Sequence, residues 1–266
     1  MIRIETLGRI RLVTLNRPAA RNAVNPALAK ALFDTMLEFQ ANPAVDVAVL
    51  TGADGAFCAG FDLKAAAAGA ARDWLAGLDI PPGWADPMGQ PLPSPMGPAR
   101  LMLEKPVIAA IEGAAVAGGM ELALWADMRV MATDAQFGVF CRRWGVPLID
   151  GGTVRLPLTV GQGRANDLIL TGRPVDAAEA HAIGLADRVV HPGQALPAAL
   201  TLADSLTRFP QACLRADHLS ARLPLETLAA RLRREWASVR AALHEGINGA
   251  ARFTAGHGRA GRFDDI

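Results

Sequence analysis

No stretch of this sequence reaches the roughly 18 uninterrupted apolar residues that a membrane helix requires, so no membrane partner is expected. The opening residues, MIRIETLGRIRLVTLNRP, interleave charges with apolar side chains instead of placing a basic end before an apolar block, and no signal peptide is expected. Cysteine is scarce: Cys58, Cys141 and Cys213 form an odd set of three without C-x-x-C spacing. That speaks against a disulfide framework or a zinc site and for a reducing, cytoplasmic setting. His181, His191, His218, His244 and His257 show no metal-ligand spacing and are expected at the surface, so no metal is expected. There is no G-x-S-x-G, which counts against a serine-hydrolase elbow. A G-x-G-x-x-G string, Gly256 to Gly261, follows no strand and opens no helix, so it marks no dinucleotide site. Neither sign of charge dominates: Lys+Arg 27 against Asp+Glu 26 leaves +1, and no overall field attracts nucleic acid. Lysine is nearly absent, with only Lys30, Lys64 and Lys105; a chain that relies on arginine suits phosphate recognition, but compositional bias explains it equally.

What is present is a large apolar fraction, 51% of 266 residues, enough for a core that needs no staples. IRIETLG and RIRLVTLN alternate around Gly8 and predict an opening hairpin. NPALAKALFDTMLEFQAN spaces Leu28, Leu32, Met36 and Phe39 at helical intervals. VAVLTG then reads as a strand buried on both faces. The syntax of buried strand and small-residue corner returns at VIAAIEG–AAVAGG and at MRVMATD–AQFG, a weak repeat that suggests a spiral of stacked turns or a parallel α/β sheet. DRVVHPG predicts a further strand. Asp176 and Glu179 form a capping-box start, and Gly184 ends that helix. From Pro224 a helix carries Leu228, Leu232, Trp236, Val239 and Leu243 on one apolar stripe, with Arg and Glu elsewhere. The segment 78–98 is dense in Pro and Gly and reads as irregular: a lid over a site or a plain insertion.

Two corners carry chemical promise. Gly118 and Gly119 open a helix whose first N–H groups lack partners and carry partial positive charge, a start that can bind an oxyanion. Glu121 lies one turn in; it either complements the helix dipole or reaches whatever is bound there. In GAFCAGFDLK, Gly55 to Lys64, a second corner can present the Phe61 N–H, and two donors from separate segments can converge on one oxygen.

AFCAGFDLK together with IAAIEGAAVAGGMELALWAD, supported by LNRPAARNAV and AQFG, resembles the crotonase (enoyl-CoA hydratase/isomerase) superfamily over essentially the whole chain. The resemblance implies an α/β fold, a spiral of repeated ββα units over 1–195 that holds the active site. A C-terminal helical region, 196–266, would build trimers or hexamers. It implies an acyl-CoA thioester substrate and no cofactor beyond its CoA moiety. It places an oxyanion hole on the N–H groups of Phe61 and Gly118 and a proton-carrying carboxylate on Glu121, which the positive helix start is expected to keep ionised. The CoA ester is expected along Ala59, Gly60, Asp62, Leu63 and Lys64, near Arg21, with Gly119 and Cys141 at the acyl end. Phe253, in a tail that lacks the family's usual lysine, is expected to reach the CoA of a neighbouring subunit.

The pattern also departs from the family's. Hydratases of this family flank the double bond with a second glutamate in F-G-x-P-E, whereas AQFGVFCRRWG puts Cys141 there, and a thiol cannot activate water as a carboxylate does. No histidine is near to make it a nucleophile, so it reads as a small core-lining residue. Asp150, in PLIDGGTVRL, is the candidate substitute acid, or a turn residue. Arg142 and Arg143 are open to three roles: pairing with Asp150, binding an acidic acyl group, or facing solvent. The resulting readings are an enoyl-CoA hydratase first, an isomerase using Glu121 or Asp150 second, and a silent acyl-CoA binder third. RLRREWASVR alone suggests RNA, and a solvated helix face explains it.

Overall fold

The computed structural model describes residues 1–257, with side chains throughout except at 70–72, 238–242 and 244. Val239 and His244 thus lie outside the described side chains, and the G-x-G-x-x-G string lies largely outside the described residues.

The alternating N-terminal segments form β1 (Ile2–Leu7) and β2 (Ile10–Leu15), an antiparallel hairpin turned at Gly8 with φ 60°. The apolar runs β3 (Val47–Gly52), β4 (Val107–Ile111), β6 (Met128–Ala132) and β9 (Arg188–Val190) follow in parallel, so the main sheet runs β1-β2-β3-β4-β6-β9. A smaller sheet, β5-β7-β8, is made by β5 (Ala114–Val116), β7 (Gln136–Gly138) and β8 (Pro174–Asp176). Both β4 and β6 are followed directly by a strand of the small sheet, which is the strand-and-corner repeat read from sequence.

The uninterrupted apolarity of β3 and β4 has a structural cause. Their two faces serve different cores. Leu50, Ala109 and Ile111 face the core that holds helix Pro26–Ala41 and helix Gly118–Trp125. Val47, Val49, Ile108 and Ala110 face Ala195, Ala199, Leu202 and Ala203 of helix Ala195–Thr207, the helix that crosses the expected 195/196 division. Helix Pro26–Ala41 is capped by Asn25, whose side chain accepts the Leu28 N–H at 2.9 Å, and Asp176 caps helix Ala177–Ala182 through the Glu179 N–H.

Two expectations need correction. The helix expected from Pro224 is two, Leu225–Trp236 and Ser238–Thr254, because its parts have different partners. Leu228, Leu232 and Trp236 pack on Leu78, Ile80 and Trp84, whereas Leu243, Gly246 and Ile247 turn toward a cleft. The Pro-rich segment is packed into the fold, which a free insertion would not be. Trp84 and Met96 are buried, the Trp84 indole donates to Gln90 O at 2.8 Å, and the buried Arg100 donates to Leu78 O at 2.6 Å and Pro93 O at 2.9 Å. Its bulky residues are too widely spaced to register as a regular element.

Candidate active site

The first corner begins where β3 ends. Asn22, fully buried, accepts the Arg17 N–H at 2.9 Å and donates to Ala53 O at 2.9 Å and Ala56 O at 2.7 Å, folding the chain back after Gly52. Beyond it Cys58 N donates to Ala114 O at 2.9 Å and Val116 N to Cys58 O at 3.0 Å, which fastens the corner to β5. Val24 then pairs with the carbonyl of Gly60 at 2.8 Å and the N–H of Asp62 at 2.9 Å. In extended chain successive amides point to opposite sides, so the Phe61 N–H faces away from Val24. The Phe61 ring stacks on Trp74, centroids 4.4 Å apart and planes within 12°.

The second corner follows β5. Ala117 adopts φ 54°, ψ −126°, a conformation costly for a residue with a Cβ, and helix Gly118–Trp125 starts with no side-chain cap. Among the described residues, the amides of Phe61 and Gly118 donate to no backbone carbonyl. The two corners touch: a Cβ added to Gly60 would lie 2.8 Å from Gly118 N, and one added to Gly119 would lie 2.1 Å from Cys58 O.

Glu121, one turn into that helix, is buried at 3% exposure and lines a cleft of ≈1110 Å³. Its Oε1 accepts the N–H groups of Asp150 and Gly152, both at 2.9 Å. Among the described residues Oε2 has no hydrogen-bond donor and is the atom left for the cleft. Asp150, also buried on the cleft wall, accepts the Met96 N–H at 2.9 Å and is bonded by Ser94. Phe61, Gly118, Glu121, Asp150 and Cys141 therefore share one cavity. A large, mostly apolar cleft with two free amides and two carboxyl groups is suited to stabilising charge on a carbonyl oxygen while moving a proton nearby.

Known proteins resemble this chain over most of its length. The family profile described as Enoyl-CoA hydratase/isomerase matches residues 5–86 and 99–245, leaving out 87–98 of the Pro-rich segment. The chain belongs to the enoyl-CoA hydratase/isomerase family. Over 235 residues it is 41% identical to a probable enoyl-CoA hydratase of Rhizobium meliloti, covering 87% of this chain and 85% of that one. Over 211 residues it is 39% identical to the enoyl-CoA hydratase EchA19 of Mycobacterium tuberculosis, covering 77% and 73%. Among solved structures, a carnitinyl-CoA hydratase from Mycobacterium avium superposes with a TM-score of 0.79 at 32% identity, covering 96% of this chain and 95% of that one. The fold is that of the crotonase superfamily, as the sequence resemblance implied.

Of the residues that the family resemblance put along CoA, Arg21, Ala59, Asp62, Leu63 and Lys64 line the cleft, and so do Cys141 and Phe253. Gly60 and Gly119 do not. They stand behind the wall, where only glycine lets the corners close on each other. Asp62 is committed to the fold: it pairs with Arg17 at 2.9 Å and caps the next helix through the N–H groups of Lys64 and Ala65. Phe253 lies on its own chain's cleft, edge-on to Trp144 at 5.3 Å. Neither Arg142 nor Arg143 is the charged neighbour of Asp150; that place belongs to Arg100 and Arg155. Arg142 is exposed and donates to Ile169 O at 3.2 Å, while Arg143 is buried over the rings of Phe140 and Trp144. His218 is not a plain surface residue either, since it meets Asp127 at 2.7 Å.

The helix start is not the largest influence on the Glu121 carboxyl. Burial, then the negative charges of Asp150 and Glu235, hold its carboxyl well above the usual range, and two N–H bonds do not offset them. Burial likewise pushes the Cys141 thiol up to about 12, so it stays a neutral thiol. Sequence reading missed Glu235, which burial raises to about 7, and the two arginines.

These carboxyl groups set a pH dependence of stability. A raised native pKa means the folded chain holds protons that the unfolded chain releases, so stability is full below about 4.5 and declines as pH rises. For Glu235, from 4.5 to about 7, the loss is about 3 kcal/mol on the alkaline side. Glu121 and the raised His218 act in the same direction. Urea midpoints are expected to fall steadily from about pH 5 to about pH 8; a flat profile contradicts the burial of these acids as charged-state penalties.

Proposed function

We propose that this chain is an acyl-CoA-processing enzyme, and within its family an enoyl-CoA hydratase that adds water across the C2–C3 double bond of a 2-enoyl-CoA. The observation that carries this reading is the contact of two corners that leave the Phe61 and Gly118 amides open beside Glu121 and Asp150. The thioester oxygen accepts both N–H groups. As a water oxygen bonds to C3, the double-bond electrons move through C2 onto that oxygen, and the two fixed donors hold the enolate as it forms. C2 then takes a proton as the carbonyl returns.

Balance requires one group to accept the water's proton and one to deliver a proton to C2. Glu121, whose carboxyl is pushed up by burial and two neighbouring acids, is the donor. Burial raises the Asp150 carboxyl too, but Ser94, the Met96 N–H, Arg100 and Arg155 pull against that rise, whereas two neighbouring acids add to the rise of Glu121; Asp150 is therefore the acceptor of the pair. Arg21 and Lys64 at the mouth supply positive charge for CoA phosphates. The same reading includes no cofactor beyond the CoA moiety, a homotrimer or hexamer, and a cytoplasmic setting. No helix among the described residues is long and apolar enough to cross a membrane.

Cys141 favours the second reading, isomerisation of an enoyl-CoA by Glu121 or Asp150, because a neutral thiol stands where the family pattern puts a second glutamate. The two separate by product mass. Given 2-enoyl-CoA and 3-enoyl-CoA esters, the enzyme is expected to yield a product heavier by one water, and Asp150→Asn to lower kcat about 100-fold with little change in binding. Double-bond migration without added water installs the isomerase instead. Tight calorimetric binding with neither reaction leaves only a binding protein.

A further inference from the structure

The turn from Asp150 to Thr153 holds two carboxylates at once. Its first and third amides, Asp150 and Gly152, donate to Glu121. Its second and fourth, Gly151 and Thr153, donate to Glu235 at 2.5 Å and 2.7 Å, and the Thr153 hydroxyl adds a third bond at 2.7 Å. Gly151 sits in the left-handed region, φ 90°, ψ 9°, at the start of helix Gly152–Val160, and this sends successive N–H groups to opposite sides. A Cβ on Gly152 would lie 2.8 Å from Glu121 Oε1, so the turn leaves Glu121 no slack. Glu235 itself comes from helix Leu225–Trp236, is buried, and does not line the cleft.

Capping a helix does not call for a buried acid, since a neutral side chain does so without the cost of desolvating a charge. We propose that Glu235 is a positioning residue for the reaction: by drawing the amides of Gly151 and Thr153 to one side it turns those of Asp150 and Gly152 onto Glu121, fixing both Glu121 and Asp150 at the cleft wall. What Glu121 and Asp150 then do rests on the hydratase reading; the clamp itself rests on the hydrogen bonds. The charged groups around Glu235 are Glu121 and Asp150 across the turn, Arg155 on the same helix as the turn, and Arg100 with Asp79 on the side of the Pro-rich segment. Of these, Arg100 is fully buried, with Nε and Nη2 lacking hydrogen-bond partners, and it lies over Trp236 at 4.3 Å, next in sequence to Glu235. When ionised, Glu235 is one of the causes that raise the Glu121 carboxyl, after burial and Asp150.

The test compares Glu235→Gln and Thr153→Val with the natural full-length chain. The readouts are the pH profile of kcat and KM on a 2-enoyl-CoA, the titration of the glutamate carboxyls by carbon-13 NMR, and the amide proton signals of Asp150 and Gly152. Glu235→Gln is expected to lower kcat about 10-fold to 100-fold with KM within about 3-fold, because the reacting groups shift while the CoA contacts stay. The pH limb of kcat and the Glu121 carboxyl signal are both expected to move to lower pH. Thr153→Val, which keeps the charge, is expected to lower kcat less and leave the limb in place. A Glu235→Gln enzyme whose kcat and pH profile superimpose on the natural ones overturns the proposal. Should that variant not fold, Thr153→Val with unaltered kcat overturns it. If the natural chain turns over no enoyl-CoA, the hydratase reading fails, and the amide proton signals of Asp150 and Gly152 in Glu235→Gln still decide the clamp: displaced signals support it, unmoved signals refute it.

Discussion

Glu121→Gln is expected to lower kcat by about 1,000-fold or more while acyl-CoA affinity changes by no more than about 3-fold. The side-chain amide keeps the length and the carbonyl oxygen of the native group, so it still accepts the N–H groups of Asp150 and Gly152 that hold Oε1. The wall of the cleft is preserved, and only the transferable proton at Oε2 is lost. Stability supplies the internal control. Because burial and two nearby acids resist ionisation of Glu121, a neutral amide removes a penalty that grows with pH. The variant is therefore expected to be at least as stable as the natural protein, and more so at alkaline pH. Loss of turnover accompanied by an unchanged or raised urea midpoint supports the chemical role. Turnover that survives the substitution removes Glu121 from the mechanism, and with it the reason for the raised carboxyl.

Part of this was legible in the sequence. The hairpin at Gly8, the helical spacing of Leu28, Leu32, Met36 and Phe39, the capping box at Asp176 and the two small-residue corners each write themselves into a few neighbouring residues. Phe61, Gly118, Glu121 and Asp150 could be named because corners and first turns are local, and the cleft joins all four. The ionisation state of Glu121 could not. It depends on burial by segments far away in sequence and on Glu235, whose bonds to Gly151 and Thr153 span 84 and 82 residues. On its own helix Glu235 looks like any polar residue flanking an apolar stripe. Arg100 is hidden for the opposite reason: arginine is read as exposed, and this one is fully buried among Leu78, Pro93 and Trp236. The Pro-rich segment gave no periodic signal, yet its Met96 supplies an N–H to Asp150 and packs so closely that a Cβ on Gly118 would lie 2.6 Å from its sulfur.

The contact between the corners leads to the other large expected effect. Gly60→Ala puts a methyl group 2.8 Å from Gly118 N, 3.0 Å from the Ala117 Cβ and 3.0 Å from Val116 O, three neighbours none of which is the far end of a flexible side chain. The residue also sits at φ +90°, where a Cβ is strained whatever the space. Relief comes by moving one corner off the other, which parts the Phe61 and Gly118 amides. Loss of one such donor costs about 100-fold to 1,000-fold in kcat, and the strained backbone costs about 1–3 kcal/mol of stability. Strain and donor loss are separable within the same corner, because Gly55 has φ +72° and nothing within 4 Å of an added Cβ. Gly55→Ala is expected to lower the melting midpoint with kcat close to natural, whereas Gly60→Ala lowers both. If Gly60→Ala folds and retains the natural kcat, the paired amides do not hold the thioester oxygen, since a methyl group 2.8 Å from Gly118 N requires one corner to move off the other.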